Sequence, residues 1–114
     1  MPSVVILCTG NSCRSILAEA LWREETRGLW RCASAGTQPT GTPHPLALAV
    51  LEEDGISVEG LSSQAVADFA GERFDLAVIV CEFARQECAV FPGALRTVYW
   101  PFPDPIQPAS GGEV

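Results

Sequence analysis

Cys8 and Arg14 stand six positions apart, with Thr9, Gly10, Asn11, Ser12 and Cys13 between them and Ser15 directly after. A thiolate is a nucleophile, and a guanidinium is a planar fork that can grip two oxygens of an oxyanion at once. A run of small residues can turn successive backbone N–H groups inward as an anion-binding nest. These residue types suit attack by the Cys8 sulfur on a tetrahedral oxyanion cradled by Thr9, Gly10, Asn11, Ser12, Cys13 and Arg14. The field that holds the anion also stabilises a thiolate at Cys8 near neutral pH. A bare Cys-x5-Arg is a loose pattern; what sharpens it is the apolar run before the cysteine and the helical pattern after the arginine.

Those flanks belong to a regular alternation of elements. "SVVILC" is a β-branched run bounded by Pro2 and Gly10, and it reads as a buried strand with Cys8 at its carboxyl end. From Arg14 to about Arg27 the pattern is helical, with Ile16, Leu17, Ala20 and Leu21 on one face, Glu24 and Arg27 on the other, and Gly28 as the stop. "LWRCASAG" reads as a second strand. A helix is expected from about Pro45 to Asp54, ended by Gly55, and Ser62 or Ser63 is placed to cap a short helix reaching Phe69. "DLAVIVC" is apolar almost throughout, a strand buried on both faces, and "RTVYW" is a shorter fourth strand. Strands alternating with helices predict an α/β fold with a parallel sheet, in which ligands bind at the carboxyl ends of the strands, where Cys8 sits.

The composition narrows the partners. The 114 residues suit one domain, 1–114, without repeats. Seven arginines, no lysine and fourteen acids give a formal charge of −7, which argues against a nucleic-acid partner, since phosphate backbones demand clustered positive charge. An anionic substrate is repelled at long range, but salt screens that repulsion over ~8 Å. Any oxyanion site here must therefore work by close contact. The N-terminus has no basic region or cleavage pattern of a secretory signal and no apolar run long enough to cross a membrane, so a cytoplasmic protein is expected. Its five cysteines are then reduced thiols with a catalytic, metal-binding or packing role. The spacings Cys8-x4-Cys13 and Cys81-x6-Cys88 do not match paired zinc ligands, and no metal or cofactor is expected.

"CTGNSCRS", together with "AEA", resembles the low-molecular-weight protein tyrosine phosphatase superfamily and, within it, the thioredoxin-coupled arsenate reductases. The resemblance covers nearly the whole chain. It implies a four-stranded parallel sheet flanked by helices, Cys8 as nucleophile, Arg14 as oxyanion clamp, and Ser15 and Asn11 as supports of the thiolate and the loop. "VCEFARQECAVFPG" resembles the redox segment of the arsenate reductases, and "YWPFPDP" the segment carrying their general acid, which would make Asp104 the proton donor to the leaving oxygen.

The two branches of that superfamily differ in their sulfur chemistry. A phosphatase needs one cysteine, because its phosphocysteine is hydrolysed and no electrons move. Reduction of an arsenate adduct on Cys8 needs a second thiolate, and the resemblance implies Cys8, Cys81 and Cys88 acting in sequence. Arsenate would be the substrate, phosphate or sulfate competing oxyanions, and thioredoxin the reductant. If the strands ending in Cys8 and Cys81 are neighbours they lie ~4.8 Å apart, near bridging distance. An intact helix between Cys81 and Cys88 would hold their Cα atoms ~10.5 Å apart, beyond the ~7 Å limit of a disulfide, so the segment must bend for them to pair. A phosphatase, or a non-enzymatic thiol module binding zinc or arsenite, remains an alternative.

The other conspicuous residues read as structural: Cys13 and Cys32 as packing thiols, His44 between prolines as the opening of a helix, and Trp22, Trp30 and Trp100 as core or edge packing. Two features depart from the resemblance. Some of these reductases hold a potassium ion with an acidic residue in the stretch matching "LSSQAV"; Gln64 stands there, and the cation site is not carried over. Ser110 and Glu113 have capping-box spacing, yet the sequence stops at Val114, so the expected fold lacks its C-terminal helix and leaves one sheet face short of cover.

Overall fold

The computed structural model describes residues 1–10, 13–69, 71–80 and 93–100. Four strands, β1 (Ser3–Cys8), β2 (Arg31–Gly36), β3 (Phe74–Ile79) and β4 (Ala94–Tyr99), form one sheet in the order β2-β1-β3-β4, and every pairing is parallel. β1 is central because it can afford no solvent: Val4, Val5, Ile6 and Leu7 are all fully buried. Each such side chain contributes about 1.5–3 kcal/mol over an exposed one. The Asp75 carboxylate accepts hydrogen bonds from the Ser3 backbone N–H (2.8 Å) and hydroxyl (3.3 Å), locking the amino ends of β1 and β3 together. Along β3, Ala77, Val78 and Ile79 are buried, whereas β4 is a half-exposed edge with Leu95 open to solvent.

Helix α1 (Arg14–Glu25) lies against β1 and β2, with α2 (Pro45–Glu53) beside it. The buried face of α1 is Ser15, Ile16, Glu19 and Ala20, not the expected Ile16-Leu17-Ala20-Leu21 stripe; Leu21 is exposed and a glutamate is inside. The helix also ends earlier than Arg27. Arg27 N–H bonds to the Glu24 carbonyl (3.1 Å) and Gly28 N–H to that of Arg23 (3.1 Å), a Schellman closure in which Arg27 itself takes the left-handed turn at φ 54°. α2 opens as expected, His44 Nδ1 accepting from Leu46 N–H at 3.1 Å and Pro45 filling the first helical position.

The short helix before β3 is a 3-10 turn, Val66–Phe69. It is not opened by Ser62 or Ser63: the Asp68 carboxylate accepts from Ala65 N–H at 3.1 Å, and Ser63 is engaged elsewhere. Among the described residues no helix is long and apolar enough to cross a membrane.

Candidate active site

Cys8 closes β1 at the carboxyl edge of the sheet, almost completely buried, as a thiol outside any disulfide. The chain then runs through Thr9 and Gly10 with its carbonyls turned to one side. Thr37 N–H donates to the Cys8 carbonyl (3.1 Å), Gln38 N–H to that of Thr9 (2.9 Å) and Thr40 N–H to that of Gly10 (2.9 Å). The segment after β2 thus zips onto the segment after β1, continuing the parallel pairing that ends at Cys8 and Gly36. In a trans peptide unit the carbonyl and the N–H point in opposite directions. Fixing the Cys8 and Thr9 carbonyls toward residues 37 and 38 therefore turns the N–H groups of Thr9 and Gly10 the other way, as an anion nest requires.

α1 starts on the far side of this loop. Cys13 is its N-cap, buried but making no side-chain capping bond, and no acidic residue lies in the first turn. The positive end of the helix dipole is thus unopposed by a carboxylate of its own, which favours an external anion. Arg14, the first helical residue, is partly exposed; Ser15 beside it is fully buried. The structure so brings Cys8, Thr9, Gly10, Cys13, Arg14 and Ser15 to one edge. Asn11, Ser12, Cys81, Cys88 and Asp104 lie outside the described residues. β3 neighbours β1 directly, and Val80 N–H donates to the Leu7 carbonyl at 2.9 Å, so the described part of that strand ends level with Cys8.

Two groups near the loop were not legible as site residues. Ser63 reaches the Gly10 carbonyl with its hydroxyl at 3.1 Å; its only sequence signal is a helix-capping residue type. Behind α1, Ser34 donates its hydroxyl to the buried Glu19 carboxyl at 2.6 Å, and Gln64 Nε2 donates to the Ser34 carbonyl at 3.3 Å. Burial pushes the Glu19 carboxyl above its ordinary value, against the opposing pull of the Ser34 hydrogen bond and of Arg23. Cys32 nearby is pushed up as well, by burial and then by the negative charge of Glu19. A thiol held protonated in this way is a poor nucleophile, which suits its reading as a packing residue.

Residues 3–98 match the family model described as low molecular weight phosphotyrosine protein phosphatase. An arsenate reductase of Brevibacillus brevis is 34% identical over 103 residues, which are 90% of this chain and 76% of that protein. Among solved structures, a thioredoxin-dependent arsenate reductase of Corynebacterium glutamicum superposes with a TM-score of 0.77 at 25% identity, over 90% of this chain and 50% of that one. An arsenate reductase in its phosphate-binding state gives 0.75 at 28% identity, over 92% of this chain and 79% of the other. The chain therefore spans about three quarters of the curated relative's length and half of the corynebacterial chain.

Proposed function

This chain belongs to the low molecular weight phosphotyrosine protein phosphatase family, and we propose that within it the chain is an arsenate reductase that draws its electrons from thioredoxin. The Cys8 thiolate attacks arsenic while Arg14, the N–H groups of residues 9–14 and the α1 dipole hold the oxyanion. Ser15 and Asn11 steady the thiolate and the loop. Asp104 protonates the departing oxygen, which leaves as water. The Cys81 thiolate then attacks the Cys8 sulfur; the As–S bonding pair stays on arsenic, which falls from the +5 to the +3 state and departs as arsenite, leaving a Cys8–Cys81 disulfide. Cys88 attacks the Cys81 sulfur, frees Cys8 as a thiolate and carries the oxidation outward as Cys81–Cys88, which the thioredoxin dithiol reduces. The cycle needs reduced thiols, and the cytoplasm is where they are kept so.

The observation that supports this reading is the adjacency of β1 and β3: Val80, the residue that precedes Cys81 in sequence, donates its N–H to the carbonyl of Leu7, the residue that precedes Cys8. The kinship with proteins named arsenate reductase supports it independently. Arsenate-dependent NADPH oxidation, coupled through thioredoxin and its reductase, is expected from the parent and should vanish in Cys8→Ser. After one turnover, mass spectrometry should find Cys81 joined to Cys88 in the parent and Cys8 trapped with Cys81 in Cys88→Ser. The family model and the oxyanion loop equally suit a phosphatase; undiminished turnover of an aryl phosphate by Cys88→Ser, with no arsenate-dependent oxidation by the parent, would establish that activity instead.

A further inference from the structure

Glycine has the widest backbone freedom of any residue, so a loop built on Thr9 and Gly10 does not hold its N–H groups in place by itself. Something outside the loop must fix it. The Gly10 carbonyl accepts two hydrogen bonds, from Thr40 N–H at 2.9 Å and from the Ser63 hydroxyl at 3.1 Å, the second reaching across 53 positions of sequence. Ser63 Oγ also accepts from Gly41 N–H at 3.1 Å. Gly41 is itself in the left-handed region at φ 99°, within the turn that Thr40 closes by donating its hydroxyl to the Thr42 carbonyl at 2.9 Å. One hydroxyl therefore ties two glycines: the one in the loop after β1 and the one in the turn that braces that loop.

We propose that Ser63 is a positioning residue for the oxyanion loop, its hydroxyl clasping Gly10 and Gly41 so that the loop is set for an anion before one arrives. The inference rests on the oxyanion reading of that loop. With the Thr9 carbonyl held by Gln38 on one side and the Gly10 carbonyl held twice on the other, the peptide planes flanking Gly10 Cα cannot swing independently. An anion then meets N–H groups already aimed, and the ordering entropy is not charged against binding. Only a group that donates and accepts at one atom makes both bonds; a serine or threonine hydroxyl does this and an alanine methyl does not.

The test uses inorganic phosphate and the full chain, without turnover. Alkylation of Cys8 by iodoacetamide, followed on its own peptide by mass spectrometry, is measured against phosphate concentration and against pH. The parent is expected to be protected by phosphate. In Ser63→Ala the phosphate needed for half-protection should rise by about five- to tenfold, the loss expected for one hydrogen bond, and the alkylation midpoint should move to higher pH. Ser63→Thr, which keeps the hydroxyl, should return both to within about twofold of the parent. A role confined to stability would lower the melting temperature and leave both readings in place. Identical protection and midpoint in Ser63→Ala and the parent would overturn the inference alone, as would equal shifts in the alanine and threonine variants. Absence of phosphate protection in the parent would instead remove the oxyanion reading beneath it.

Discussion

Glu19 is the residue whose surroundings contradict its type most plainly: a carboxyl 5% exposed on the inner face of α1, with Ser34 as hydrogen-bond donor. Because burial raises its pKa, the folded chain binds that proton more tightly than the unfolded chain does. The resulting stabilisation is complete below the unfolded value of about 4.3 and is lost as pH rises through the higher folded value. Glu19→Gln keeps an acceptor for Ser34 and removes the titration. The stability of the parent relative to this variant should therefore fall as pH is raised from about 4 to about 8, read as urea midpoints at each pH. A difference that grows with pH would mean that Glu19 is held ionised. Thr37 presents a simpler case, for its Oγ1 is buried with no hydrogen-bond partner among the described residues. Thr37→Val keeps the shape and removes the orphan, so it should stabilise the chain by about 1 kcal/mol in the same assay. Neither residue was visible as special in the sequence. Cys8, Arg14 and Ser15 were, because a local motif carries its chemistry in residue types at fixed spacing. Glu19 and Thr37 acquire theirs only from what packs around them.

At the scale of elements, the runs of apolar residues were decisive. β1 and β3 were legible because a buried central strand must be apolar on both faces, and α2 because Pro45 and Gly55 bracket it. The zipper of residues 37–40 onto 8–10 was not, since backbone donors and acceptors are the same for almost every residue and leave no signature in a sequence. The close of α1 falls between these cases. Gly28 announced the stop, but the chain turns left-handed one residue sooner, at Arg27, before the glycine repeats the same sign of φ. A side chain in that region costs about 1–2 kcal/mol, and glycine escapes it at some expense in unfolded-state entropy. Arg27→Ala controls for the lost charge near the helix end, so Arg27→Gly should be more stable than Arg27→Ala by about 1 kcal/mol. Thermal melts of the two variants at one pH decide it; equal melting temperatures would place the strain elsewhere.

Over the whole molecule, the three tryptophans are not equivalent. Trp22 and Trp30 pack with ring centroids 5.5 Å apart, while Trp100 is largely exposed. All three line an apolar cavity of about 690 Å³ beside α1, with Leu21 and Val80 also on its wall. Among the described residues this cavity lies between α1 and the sheet, with Ile6 and Val78 of β1 and β3 on its floor. The net charge of −7 acts over the same scale and in opposition to the site. On the proposed reading, a dianionic arsenate approaching the molecule meets repulsion before it meets the loop after β1, and hydrogen bonds from that loop act only at contact. Raising sodium chloride from about 10 to about 150 mM shortens the screening length from ~30 to ~8 Å. The repulsion then weakens while the contacts remain, so KM for arsenate should fall by roughly two- to tenfold. Sodium sulfate at equal ionic strength screens as well but is itself a tetrahedral dianion, and it should raise KM by competing for the loop. If chloride and sulfate instead move KM in the same direction, either long-range charge does not govern capture or the loop does not discriminate in favour of tetrahedral oxyanions.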